Sequence, residues 1–212
     1  MKNSNKILLS IIAIILLIIL ILQLKIKSHL KEIELSEIDL PFQSFNEIEA
    51  AKGWYIELHD DSITKVSINS DTIKNLISQD QNKLILNARK NDTKNRMIVK
   101  VYNSDISQIK LSGNSRMYFY IDSIDSLNID LHEESDCILT NNKVDGSSKK
   151  EMIKQGKIGF LSIAASDNSS INVYCDVTEF QAELNDSSFC YVPSEVQIKK
   201  LVKSKNANFK SW

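Results

Sequence analysis

Glycine and proline are scarce in this chain, which has five glycines and two prolines among its 212 residues. Collagen-like repeats and proline-rich disordered segments need far more of both, so these two classes are excluded. Asn, Ser, Asp, Lys and Ile are abundant instead. Such a mixture favours β-branched runs joined by short polar turns, and we therefore expect a β-rich fold.

Cysteine and histidine are also rare, with three residues of each. Cys137, Cys175 and Cys190 form no CxxC or CxxH pair, which argues against a zinc site. The odd number leaves at least one thiol unpaired, and Cys137 and Cys175 fall at apolar positions of the strand pattern, which predicts buried thiols. The HExxH, GxSxG, Walker and GxGxxG motifs are absent from the sequence, so we predict neither an enzyme nor a cofactor.

The remaining polar clusters predict a solvated surface. His59 and His132 lie beside carboxylates and alternate with apolar neighbours, so both side chains are expected to face solvent. An acidic run near His132 comprises Asp130, Glu133, Glu134 and Asp136. This run lacks the spacing and the turning glycine of a calcium loop, and we predict no metal site.

One long apolar run is present, from residue 7 to residue 24 (ILLSIIAIILLIILILQL). As a helix it would span about 27 Å, close to the hydrocarbon thickness of a bilayer. The alternative is a signal peptide, which normally has a shorter apolar region followed by small residues at a cleavage site. Because lysines follow here, we predict a single-pass anchor at 7–24 in the lipid bilayer, with a short tail at 1–6 and a charged tether at 25–40.

Charge separates the anchor from the rest of the chain. All 27 acidic residues follow residue 31, together with 21 of the 26 basic residues, which gives that part a formal charge of −6. An acidic domain argues against nucleic acid as a partner. Lysines flank the apolar run almost evenly, so the distribution of positive charge does not decide the orientation of the anchor in the membrane. The short N-terminal tail and the long following domain favour an N-terminus inside the cell and a domain on the extracytoplasmic, periplasmic side.

Beyond Pro41, apolar and polar residues alternate in almost every run, which indicates β-strands. Only DTIKNLISQ, which begins at Asp71, could form a helical turn or two. From Ile109 onward a unit of about 20 residues recurs, with a small residue in a polar turn and an apolar residue two positions later. The small residues are Ser115, Ser135, Ser169, Ser187 and Ala207. The apolar residues are Met117, Cys137, Ile171, Phe189 and Phe209.

A repeat of this length, with two short strands per unit, predicts an all-β fold of the β-solenoid (β-helix-like) type over residues 41–212. Each coil of chain stacks on the preceding one, so that matching apolar residues fill a narrow core. The hydrophilic segment 141–157 would be an insertion loop between two units. The alternative is a series of antiparallel hairpins in a sandwich or meander. The near absence of Asn-Gly and Asp-Gly dipeptides favours the solenoid.

The last unit is rich in lysine, and its five lysines are Lys199, Lys200, Lys203, Lys205 and Lys210. They have two interpretations. They could bind an anionic glycan or a membrane, or they could keep an exposed strand edge from pairing with another chain. We favour the second because a solenoid has open ends whose unpaired strands invite fibre formation.

Residues 42–212 resemble the bacterial head-GIN-domain family, known as "putative auto-transporter adhesins". The likeness lies in FNEIEAAKGWYIELHDDSITKVSINSD, NKLILNA and IVKVYNSDISQIKLSGNSRMYF. Family members repeat a Ser-Gly-Ser-Gly-like corner, whereas this chain keeps a glycine only at Ser112-Gly113-Asn114-Ser115. The resemblance implies a β-helical envelope domain and offers no catalytic signature to transfer.

These observations predict a membrane-anchored, non-enzymatic, adhesin-like envelope protein whose surface contacts a glycan or an envelope protein. Tyr118, Tyr120 and Tyr174 are the candidate binding residues, because exposed aromatic rings stack on sugars or pack on proteins; the alternative is that they are ordinary half-buried strand residues. A carbohydrate-active β-helix enzyme is another hypothesis and would need two carboxylates about 5–10 Å apart in one groove. A sensory or regulatory ectodomain of a membrane complex is a third.

Overall fold

The computed structural model describes residues 37–88, 97–141 and 156–212. In this part of the chain the fold is all-β, as predicted, with two large mixed sheets and one 3₁₀ helix, Asp71–Leu76, at the predicted helical turn.

The nine-stranded sheet contains β1 (Ile38–Leu40), β3 (Trp54–His59), β4 (Lys65–Ile68), β7 (Met97–Tyr102), β9 (Arg116–Tyr120), β11 (Asp136–Thr140), β13 (Ser170–Val173), β15 (Phe189–Val192) and β17 (Asn208–Ser211). The eight-stranded sheet contains β2 (Glu47–Ala50), β5 (Ile77–Asp80), β6 (Lys83–Leu86), β8 (Gln108–Leu111), β10 (Ser123–Leu131), β12 (Lys157–Ala165), β14 (Asp176–Leu184) and β16 (Gln197–Lys203).

From β8 onward, successive strands alternate between the two sheets. The strand order is β1-β4-β7-β3-β9-β11-β13-β15-β17 in the nine-stranded sheet and β16-β14-β12-β10-β8-β2-β6-β5 in the eight-stranded sheet. Each unit of two strands therefore pairs in parallel with the next unit in both sheets. Among the described strands, the antiparallel pairs are β1 with β4, β4 with β7 and β5 with β6, and they lie together at one end of the strand order.

The first units depart from chain order. Strand β2 lies between β6 and β8, and strand β3 lies between β7 and β9. Strands β6 and β7 therefore lie on the outer side of β2 and β3, although they come later in the sequence. Strand β1 precedes Pro41 and lies within the segment predicted to be a tether. Its Leu40 is buried, so the packed structure begins before Pro41.

Several predicted segments lie outside the described residues. They are the tail at 1–6, the anchor at 7–24, the tether up to residue 36 and positions 142–155 of the insertion loop. Within the residues that the structure does describe, no helix has the length and apolar character needed to cross a bilayer.

Inward-facing side chains form a column across the nine-stranded sheet. Met117 pairs with Cys137, and Cys137 pairs with Ile171. The column continues through Cys190 to Phe209. The first four are completely buried, and all three cysteines of the chain are free and buried, which confirms the predicted buried thiols.

The register corrects one position of the predicted repeat. Ser188 and Cys190 occupy the places that the sequence pattern assigned to Ser187 and Phe189. The reason is local, because Asp186 and Ser187 have φ angles of 46° and 59° and form the turn itself. Phe189 consequently points outward and is half-buried.

The polar corners share a two-residue turn with left-handed backbone. The turn pairs are Gly113-Asn114, Glu133-Glu134, Asp167-Asn168 and Asp186-Ser187. This conformation suits glycine and is tolerated by Asn and Asp, whereas most other residues are strained in it. The corners are joined by backbone hydrogen bonds, because the N–H of Asn114 donates to the carbonyl of Glu133 (2.9 Å) and the N–H of Glu134 donates to the carbonyl of Asp167 (2.8 Å).

A buried serine follows each of these turns, and the four are Ser115, Ser135, Ser169 and Ser188. The Ser135 hydroxyl group donates to the carbonyl of Leu111 (3.2 Å). The Ser188 hydroxyl group is also buried but has no hydrogen-bond partner among the described residues. The corresponding residue of the next unit is Ala207, which lacks a hydroxyl group.

Two serine-to-alanine substitutions should therefore have different effects on stability. Ser135→Ala is expected to lower the free energy of unfolding by about 1 kcal/mol, because the Leu111 carbonyl loses its side-chain donor. Ser188→Ala is the matched control and should leave the free energy of unfolding unchanged or raise it, because the hydroxyl group that it removes is unsatisfied in the described part of the chain. Urea unfolding measures both values, and an equal loss in the two variants would contradict the assignment.

The lysine-rich last unit forms an exposed edge of each sheet, with β16 at the end of one and β17 at the end of the other. In the pairing of β14 with β16, Phe180 lies opposite Ile198, but the next residue of β14, Gln181, lies opposite Lys200. Lys199 is therefore an extra residue in the edge strand. A register shift and clustered lysines both hinder pairing with another strand, which supports the edge-protection interpretation.

Candidate binding surface

All six tyrosines of the chain lie on or next to strands of the nine-stranded sheet, at outward positions. Alternation along each strand places every second residue in the core and the others outside. The tyrosines are Tyr55, Tyr102, Tyr118, Tyr120, Tyr174 and Tyr191. The outer face of the eight-stranded sheet carries none of these tyrosines and has ion pairs such as Lys83 with Glu47 (3.2 Å) and Glu49 (2.8 Å). The two outer faces therefore differ in chemistry.

Three aromatic rings meet at one end of the tyrosine-bearing face, and we call Tyr174, Tyr191 and Trp212 the three-ring cluster. The ring centroids of Tyr174 and Tyr191 are 6.2 Å apart, and those of Tyr174 and Trp212 are 6.5 Å apart. The Tyr191 and Trp212 centroids are separated by 6.3 Å. Tyr174 and Trp212 remain 48% and 49% exposed, so the cluster offers flat apolar surface for stacking.

Hydrogen bonds hold Trp212 in place. Its backbone N–H donates to the carbonyl of Val192 (3.2 Å), and its carbonyl accepts from the N–H of Ser194 (2.8 Å). The indole Nε1 donates to the carbonyl of Val173 (3.4 Å). The position of this ring is therefore set by the ends of β13, β15 and β17.

A cleft of about 430 Å³ borders Trp212. Its other lining residues are Asp176, Val177, Pro193, Ser194, Glu195 and Val196. The cleft that Trp212 borders is therefore also lined by two acidic residues and one serine. Carboxylate oxygens accept hydrogen bonds from hydroxyl groups, so this arrangement suits a polar ligand that also has an apolar face.

A second aromatic group, which we call the second cluster, consists of Tyr55, His59, Tyr102, Tyr118 and Tyr120 on β3, β7 and β9. The His59 ring lies between Tyr102 and Tyr120, with its centroid 4.8 Å from each and interplanar angles of 13° and 16°. Tyr118 packs against Tyr55 with centroids 5.6 Å apart. The prediction for His59 is thus corrected, because its side chain points outward but is half-buried between two rings.

The phenol groups of Tyr55 and Tyr120 stay protonated. Burial raises the pKa of Tyr55 and of Tyr120, and the negative charge of Glu57 raises both further. Because the ordinary pKa of tyrosine is already about 10, both hydroxyl groups can donate hydrogen bonds at physiological pH.

The structure separates the three tyrosines that the sequence singled out. Tyr118 and Tyr120 belong to the second cluster, whereas Tyr174 belongs to the three-ring cluster. Sequence reasoning missed Tyr191 and Trp212. The one-residue shift in the repeat concealed Tyr191, because the correct register places it in the same row as Tyr118.

His132 is exposed, as predicted, and belongs to a surface hydrogen-bond network. Its Nε2 lies 2.8 Å from Asp130 Oδ1, and its Nδ1 lies 2.8 Å from Ser166 Oγ. A serine nucleophile would need to give its proton to the histidine. The Ser166 hydroxyl group also lies 2.8 Å from Asp167 Oδ2, so two acceptors compete for its single proton.

The acidic run near His132 is divided among different structural roles. Asp136 forms an ion pair with Arg116 (2.9 Å) and accepts a hydrogen bond from Ser170 (2.6 Å). Glu133 and Glu134 form a corner turn. Across residues 37–88, 97–141 and 156–212, no group of three or more His, Cys, Asp or Glu side chains is arranged to hold a metal ion.

No family model and no curated protein matches the chain. Among solved structures it is similar to a Parabacteroides merdae protein described as a "putative adhesin", with a TM-score of 0.51, 14% identity, and coverage of 78% of this chain and 75% of that one. A Bacteroides fragilis "putative adhesin" has a TM-score of 0.47, 15% identity, and coverage of 83% and 96%. A Parabacteroides distasonis "putative lipid binding protein" has a TM-score of 0.41, 10% identity, and coverage of 82% and 96%. The likeness to the Parabacteroides merdae protein shows a shared fold and nothing finer.

Proposed function

We propose that this chain is a non-enzymatic binding protein of the bacterial envelope that holds a saccharide on the three-ring cluster. The observation that carries the proposal is the half exposure of Tyr174 and Trp212 beside a cleft lined by Asp176, Ser194 and Glu195. The apolar face of a sugar ring stacks on an aromatic ring, and its hydroxyl groups donate to carboxylates. The adhesin description of the Parabacteroides merdae protein accords with such a role.

The architecture proposed for this role is a β-solenoid of the head-GIN type, with the two sheets as its sides. Its support is the parallel pairing of successive units in both sheets, the column of inward side chains and the hydrogen-bonded corner turns.

In this proposal residues 7–24 anchor the domain outside the cytoplasm. Protease accessibility in intact cells, with and without permeabilisation of the outer envelope, tests this placement. Digestion of the domain in either condition is expected. A domain protected in both conditions would overturn the placement.

Replacement of Trp212 by alanine is expected to weaken saccharide binding at least tenfold, because one of the two half-exposed rings is lost. Calorimetric titration of the full-length protein in detergent with neutral oligosaccharides measures the affinity. Phe160→Ala is the matched control, because Phe160 is a half-buried aromatic residue on β12 of the other sheet. Absence of binding by the unmodified protein, or equal losses in the two variants, would refute the proposal.

The alternative function is a carbohydrate-active enzyme, and one observation favours it, namely that Asp176 and Glu195 line the same cleft. Prolonged incubation with the same oligosaccharides, followed by measurement of new reducing ends, separates the two functions. Binding without new reducing ends is expected. If the unmodified protein produced new reducing ends and both Asp176→Asn and Glu195→Gln abolished this activity, the chain would be an enzyme instead.

A further inference from the structure

We propose, building on the saccharide-binding function above, that the ligand is a neutral polysaccharide lying across the strands of the nine-stranded sheet and contacting both aromatic clusters. The three-ring cluster would then be one end of an extended binding track. The second cluster would be the other end, and the residues between them would contact the intervening sugar units.

A continuous row of outward side chains joins the two clusters. Tyr118 on β9 pairs with Ile138 on β11, and Ile138 pairs with Asn172 on β13. Asn172 in turn pairs with Tyr191 on β15. The row therefore has an aromatic ring at each end, an apolar side chain for the face of a sugar ring, and an amide that donates to and accepts from hydroxyl groups.

The spacing of this row matches a sugar chain. Neighbouring strands are about 4.8 Å apart, so the three intervals from Tyr118 to Tyr191 amount to about 14 Å. A pyranose unit in an extended chain is about as long as one such interval. The row consequently accommodates about four sugar units, one for each strand from β9 to β15.

The charge of the face indicates a neutral chain rather than a polyanion. Lys210, which follows Tyr191 in the row, lies over the Phe189 ring with its Nζ 5.9 Å from the centroid. Three other basic side chains along this face and its border are paired with carboxylates: Lys65 with Asp39 (3.0 Å), Lys100 with Glu37 (2.6 Å) and Arg116 with Asp136 (2.9 Å). A polyanion would have to break these pairs, whereas a neutral polyol leaves them intact.

The spacing of the row favours a saccharide over an extended peptide, because residues of a peptide strand follow one another about every 3.3–3.4 Å, roughly two thirds of the interval between strands. The rings of the second cluster stand in a stack, with centroids 4.8 Å apart along the direction in which strands follow one another. Stacked rings cover one another's faces, so this stack presents ring edges outward, and the row from Tyr118 to Tyr191 sets the repeat that the occupant must match. The occupant to which the proposal commits is therefore a polysaccharide strand.

The test is the dependence of affinity on chain length, measured by calorimetry on the full-length protein in detergent. The probes are neutral gluco-, manno- and galacto-oligosaccharides of two to six units. Affinity is expected to rise at least tenfold between two and four or five units and then to level off, because the row has been filled. An affinity that does not change with length would overturn the track but leave the saccharide site at Trp212 in place.

Substitutions then locate the two ends. Tyr118→Ala should weaken binding of the six-unit probe about tenfold and leave the two-unit probe unchanged, while Tyr118→Phe should retain the wild-type affinity. Trp212→Ala should weaken both probes. Equal affinities of Tyr118→Ala and wild type for the six-unit probe would refute the track. Failure of every probe to bind the unmodified protein, or capture of an envelope protein with no sugar binding, would overturn the track and the proposed function together.

Discussion

Gly113→Ala is expected to lower the free energy of unfolding by about 3 kcal/mol, a large effect for a single methyl group. Gly113 has a φ angle of 62°, which strains any residue with a Cβ atom. A Cβ at this position would also lie 2.6 Å from Lys52 Cβ and 2.7 Å from Lys52 Cα. The second contact is with backbone, so the clash cannot be relieved by rotating a side chain. Equilibrium urea unfolding measures the loss.

Gly53→Ala provides the control, because it separates backbone strain from steric clash. Gly53 also has a positive φ angle, 93°, but a Cβ there would meet only Met97 Cε at 3.7 Å. Its replacement should therefore cost only the strain, about 1–2 kcal/mol. A loss in Gly53→Ala that equals or exceeds the loss in Gly113→Ala would contradict the close approach of the corner to Lys52.

The three thiols are expected to react with an alkylating reagent about a thousandfold more slowly in the native protein than in the unfolded chain at pH 8. Burial raises the pKa of Cys175 and of Cys190 to about 12, and it raises the pKa of Cys137 as well. Since the thiolate is the reactive form, the raised pKa removes nearly all of the nucleophile at this pH. Burial also keeps the reagent away from the sulfur atoms.

Mass spectrometry measures the number of modified thiols over time, without and with urea. Thr178→Cys is the control, because Thr178 is exposed on β14 and the introduced thiol should react at once. Rapid modification of Cys137 or Cys190 without urea would contradict the buried column that contains Met117 and Ile171.

Much of the local structure could be predicted from the pattern of residues. Strict alternation predicted the strands, and the small residue after each polar turn predicted the recurring corner. The short helical turn after Ser70 was predicted correctly as well, and the Ser70 side chain caps it by accepting from the N–H of Thr72 (3.3 Å). These features depend on contacts between residues that are close in sequence.

The pairing of the first strands could not be predicted in this way. Period-two alternation shows which side chains point inward but not which strand lies alongside. The alternation in β6 and β7 therefore does not indicate that they pair on the outer edges of β2 and β3. The slip of one residue between Phe189 and Cys190 has a similar origin, because two adjacent serines left the end of the turn ambiguous.

The candidate site shows the same division. Composition and alternation by themselves determined an all-β domain with outward tyrosines, including Tyr174. Only the tertiary structure brought Tyr174, Tyr191 and Trp212 together. These residues are far apart in the sequence, and their rings meet because the three strands that carry or precede them are paired side by side. Strand pairing is a long-range contact, and its choice depends on how the whole set of inward side chains packs in the core.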